Sequence, residues 1–79
     1  MEREATKAAQ RAASQHAREL EELEGTIKAL EARLAGLSHA LELAGSAQEV
    51  ERVRGLGIEY RQVEAELQAS LARWAEVAG

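Results

Sequence analysis

Neither cysteine nor proline occurs in the 79 residues, and the only aromatic side chains are Tyr60 and Trp74. The first absence excludes disulfides and thiolate metal sites and leaves no demand for an oxidising compartment. A chain this short, without such staples, cannot enclose a deep core unaided. No stretch approaches the roughly 18 consecutive apolar residues that a bilayer span requires. The start, Met1-Glu2-Arg3-Glu4, leads into no apolar signal run. The expectation is a soluble, cytoplasmic protein with no membrane contact. Ala, Leu, Glu and Arg fill the chain instead, which is the composition of long helices and coiled coils.

The formal charge of -4 hides an asymmetry. Residues 1–18 hold four bases, Arg3, Lys7, Arg11 and Arg18, against Glu2 and Glu4, whereas the remainder sets six bases against twelve glutamates. Any polyanion would therefore meet its electrostatic footprint on the amino-terminal arm, the rest repelling phosphate on balance.

From Leu20 the apolar residues step by three and four: Leu20, Leu23, Ile27, Leu30, Leu34, Leu37, Leu41, Ala44. That is a heptad seam. With Leu20, Ile27, Leu34 and Leu41 at a, the d positions are Leu23, Leu30, Leu37 and Ala44. Carried backwards, the register meets only Thr6, Ala9, Ala13 and His16, so the first 18 residues can be helical but bury little. Gly45 suits a left-handed helix-closing residue, and Ser46 with Glu49 has the spacing of a capping box. A looser second seam follows: Val53, Leu56, Tyr60, Val63, Leu67, Ser70, Trp74 and Val77, with Leu71 beside it.

These signals predict an all-α fold, an antiparallel two-helix coiled-coil hairpin with helices over about 3–44 and 47–78 and a turn at 45–46. Residues 1–18 form a basic helical arm or linker and residues 19–79 the hairpin. In that register Leu41 meets Val50, Leu30 lies near Tyr60 and Val63, and Leu20 lies near Leu71 and Trp74. The paired section is about 45 Å long. Gly36, Gly55 and Gly57 fall at one level, where they read either as a hinge or close helix approach or as a tolerated soft spot.

Catalysis needs positioned groups in a water-excluding site, and a two-helix rod offers no concavity for one. His16 and His39 lie far apart without a second ligand at helical spacing. No Gly-rich phosphate loop occurs, so the chain carries no nucleotide cofactor of its own. Glu19, Glu21, Glu22, Glu24, Glu64 and Glu66 read as a solvated face, with Glu24 and Lys28 spaced for an ion pair. Arg3, Lys7 and Arg11 recur every four residues and Arg18 continues the stripe, which reads either as a phosphate contact or as a solubilised linker. Trp74, in the seam, reads as packing near Leu20.

The run from Glu21 to Leu34, the turn with Glu49-Val50, and the ending Leu71-Ala-Arg-Trp-Ala-Glu-Val77 resemble the carboxy-terminal coiled-coil domain of Uup-type ABC-F ATPases. The resemblance covers about residues 19–78, and Arg73-Trp74 followed by Glu76 is its most specific element. It implies a tail appended to two ATP-binding cassettes in a cytoplasmic protein that acts on ribosomes or nucleic acid, with ATP and Mg held by the cassettes. In such proteins the tail contributes to DNA binding. On this reading residues 1–18 are the linker from the second cassette and Gly79 the natural terminus. The loop departs from the family pattern, being short and lacking an Asp-Pro and an aromatic. Valyl-tRNA synthetases carry a similar tRNA-contacting hairpin.

Two functions follow as expectations. The first is an accessory domain that binds DNA or ribosomal RNA through Arg3, Lys7, Arg11 and Arg18, extended by Lys28, Arg54 and Arg61 on one flank. The alternative is a spacer or dimerisation module, since a two-helix core would gain by burying Leu43, Leu71 or Ile58 against a second copy.

Overall fold

The computed structural model describes residues 2–79, with side chains from Glu4 onward. Two helices, α1 (Glu2–Ser46) and α2 (Val50–Ala78), fold back on each other through residues 47–49. The result is a rod with extents of 69 × 15 × 14 Å. This is the all-α hairpin that the two seams predict. No described helix is long and apolar enough to cross a membrane.

The helices owe their faces to the three-four stepping. Leu20, Leu23, Ile27, Leu30, Leu34, Leu37, Leu41 and Ala44 are all buried or half-buried, while residues 4–18 are exposed throughout. At 1.5 Å per residue α1 outruns α2 by about 24 Å, so the arm continues as bare helix. Its small residues give α2 nothing to pack against.

Burial within the seam is uneven. The buried residues are Leu30, Leu37 and Ala44 on α1 and Val63 and Val77 on α2. All three on α1 are d positions, and Val63 and Val77 are d positions when the second seam is lettered from Val53 as a. The a row (Leu20, Ile27, Leu34, Leu41, Val53, Tyr60, Leu67) is only half-buried. The helices are thus rotated so that their d rows face inward and one flank stays open. Val63, at 1% exposure, sits between Leu30 and Leu37, with Leu34, Leu56, Tyr60 and Leu67 around them. The expected neighbourhood of Leu30, Tyr60 and Val63 is therefore present.

The turn differs from expectation. Gly45 and Ser46 are still helical, and α1 closes through Gln48, whose φ of 57° is left-handed. Glu49 N–H donates to Ala44 O (2.9 Å) and Gln48 N–H to Gly45 O (3.1 Å), the bond pair of a Schellman closure. No capping box forms. Ser46 lies inside α1, and Glu49 caps α2 without a side-chain bond. Its carboxylate turns instead to Arg52 at 3.7 Å. The glycine was available, but backbone bonding carried the helix two residues further, to Ser46, before closing it at Gln48.

The register of the helices is nonetheless the expected one, since Arg73 reaches Glu19, while its neighbour Trp74 donates its indole N–H to Glu24. The glycines are not sites of close approach, because a Cβ at Gly36, Gly55 or Gly57 would meet nothing within 4 Å.

Candidate nucleic-acid interface

The bases of the chain divide into two groups. Arg33 Nη2 donates to Glu59 Oε1 at 2.8 Å, and Arg73 donates to Glu19 at 2.6 Å and to Glu76 at 3.3 Å. Arg52 pairs with Glu49. Among the described residues no ion pair engages Lys7, Arg11, Arg18, Lys28, Arg54 or Arg61. Six of the seven residues singled out by sequence are thus the cations left open to an outside anion. The seventh, Arg3, has its side chain outside the described residues.

Lys7, Arg11 and Arg18, with Gln10, Ser14 and Gln15 between them, line one shallow polar groove on the arm. Positions separated by four and eleven residues lie within about 40° of one another on a helix, so the three cations form one stripe. No acidic side chain lines that groove. Lys28 is elsewhere, in a second groove with Glu24, Gly25, Ile27, Glu31, Leu71 and Trp74. The expected Glu24–Lys28 pair does not form; Glu24 accepts the indole N–H of Trp74 at 3.3 Å. Arg54 and Arg61 lie on the half of α2 nearer the turn, about 40 Å along the rod from Lys7. The arm is therefore a coherent site, and the other three cations are not joined to it.

The ending Arg73-Trp74-Ala-Glu76 has a definite task. Arg73 bridges Glu19 on α1 and Glu76 on its own helix, while Trp74 bonds Glu24. Together they fasten the end of α2 to α1 just where the arm begins. The hydrogen bonds to Glu19 first, then to Glu76, hold the guanidinium pKa above its ordinary value. These contacts escaped the sequence reading, which had placed Trp74 inside the seam and Glu19 on a solvated face. Trp74 is 37% exposed. The legible signal was opposite charge at matching flank positions of the two helices.

His16 and His39 are both exposed. Among the described residues no group of three His, Asp or Glu side chains could hold a metal.

The rod is a helical hairpin in which one helix overruns its partner and carries a basic stripe on the overrun. The chain belongs to the ABC transporter C-terminal domain family, whose model matches residues 11–78. The match takes in Arg11, Arg18 and the Arg73-Trp74 clasp but begins after Lys7. Comparison with curated proteins and with solved structures gave no match.

Proposed function

We propose that this domain is the nucleic-acid-binding accessory domain of a cytoplasmic ABC-F type ATPase, with ATP and Mg held by cassettes outside these 79 residues. The observation that carries the reading is the bare arm, where Lys7, Arg11 and Arg18 face one way with no acidic partner. Phosphate contact needs such a row of solvated cations, and Gln10, Ser14 and Gln15 add hydrogen-bond donors beside it. The hairpin contributes little, since Glu24 and Glu31 stand on either side of Lys28. Binding is consequently to the backbone of DNA or ribosomal RNA, without base readout and strongly dependent on salt.

Three to four cations neutralising phosphate imply a slope of log affinity against log salt of about -3 on duplex DNA. Fluorescence anisotropy with labelled duplex DNA, single-stranded DNA and structured RNA tests this at low and physiological salt. The triple change Lys7→Glu, Arg11→Glu, Arg18→Glu should abolish binding while helicity by circular dichroism is unchanged. Unaltered affinity in that variant would remove the arm from the account.

A further inference from the structure

Charge along α1 is segregated. The first 18 residues carry four bases against two acids, and residues 19–31 carry five glutamates, Glu19, Glu21, Glu22, Glu24 and Glu31, against Lys28 alone. Beside that acidic stretch lies the open flank left by the rotated seam. There Ile27, Leu71 and Trp74 form an apolar floor rimmed by Glu24, Lys28 and Glu31. Leu71 is 43% and Trp74 37% exposed. The opposite flank is closed by Arg33–Glu59 and Glu19–Arg73, so only one side of the rod is available for a third helix.

From these features we infer that the groove is filled by the basic arm of a second copy, and that the contact is reciprocal. The arm is helical, exposed and too distant from its own groove to fold back onto it without breaking α1. Two α1 helices crossing antiparallel near residue 19 set Lys7 of one copy against Glu31 of the other and Arg18 beside Glu21, with Arg11 level with Ile27 and within about a turn of Glu24 and Glu31. The long basic side chains of the arm reach past the apolar floor to the carboxylates. A twofold axis at the crossing makes both contacts identical, the commonest geometry of a closed dimer. Leu43 and Ile58, though 60% and 51% exposed, take no part, because they do not line this groove.

The inference stands apart from nucleic-acid binding but bears on it. The arm cannot serve both a second copy and a phosphate backbone, so nucleic acid and dimer compete.

Sedimentation velocity from about 10 μM to 1 mM in low salt reads the association directly, with the first measurement at an ionic strength where surface charge is little screened. The expected result is a dimer that dissociates as salt is raised, with a blue shift of Trp74 emission on association. An arm variant (Lys7→Glu, Arg11→Glu) and a groove variant (Glu24→Lys, Glu31→Lys) should each weaken the dimer at least tenfold while circular dichroism shows unchanged helix. Mixed one to one, they should form a heterodimer, because reversed arm then meets reversed groove and native arm meets native groove. A monomer at 1 mM in low salt overturns the proposal. So does a dimer indifferent to both variants, or a mixture that fails to associate although each variant is folded.

Discussion

Arg33 on α1 and Glu59 on α2 stand 2.8 Å apart, and at the far end of the same flank Glu19 and Arg73 meet at 2.6 Å with the charges interchanged between helices. The seams hold the helices together. This alternation helps choose their alignment, because sliding α2 by one heptad away from the turn would set Arg33 against Arg52 and Glu19 against Glu66.

The pair is half-exposed, at 53% and 42%, so its strength is modest and its value lies in selection of register. Exchanging the charges (Arg33→Glu with Glu59→Arg) should restore what either single reversal removes. A double-mutant cycle read by urea unfolding should give a coupling of about 0.5 kcal/mol at low salt, shrinking as salt rises.

Val63 fills the middle of the core between Leu30 and Leu37. Truncation to alanine removes buried hydrocarbon and should destabilise by about 2 kcal/mol, enough in a two-helix domain to lower helicity at 37 °C by circular dichroism. Ile58→Ala, on the outer surface of α2 at 51% exposure, should change stability by less than about 0.5 kcal/mol.

Gln48 holds a left-handed backbone that most side chains resist. Gln48→Gly should stabilise the hairpin by about 1 kcal/mol, measured as a rise in the thermal midpoint. Gly45→Ala should also stabilise, since Gly45 is helical and a Cβ there meets open space.

Gly55 and Gly57 lie inside α2 with room for a methyl group. Replacing both with alanine should add about 1 kcal/mol each. Amide hydrogen exchange from Gly55 to Ile58 then distinguishes the remaining readings. Exchange faster than at Leu30, abolished by the alanines, marks a soft hinge; protection equal to that at Leu30 in the native chain marks a tolerated defect.

The fold was legible because a three-four apolar step fixes which face a helix buries, whatever its neighbours do. Leu20 to Ala44 is such a step without interruption, and Val53 to Val77 differs only at Ser70 and Trp74. The turn was less legible. Gly45 looked like a closing residue by type, yet the closure is made by backbone bonds that place the left-handed residue at Gln48. Trp74, read from sequence as packing in the seam, is instead 37% exposed and bonds Glu24. At the arm, charge and spacing were enough to find Lys7, Arg11 and Arg18 as a stripe. Their freedom from partners needed the structure, since whether a lysine or arginine is already paired depends on the opposite helix.

α1 runs from Glu2 to Ser46 without a break, and that makes the rod a lever. With no proline to kink it, the helix bends only gently, so a tilt imposed on the arm is delivered at the turn. A rotation of about 5° at one end of a helix about 67 Å long sweeps the other by about 6 Å. Whatever grips the arm therefore steers the position of Gln48, and a load on the turn is felt at Lys7.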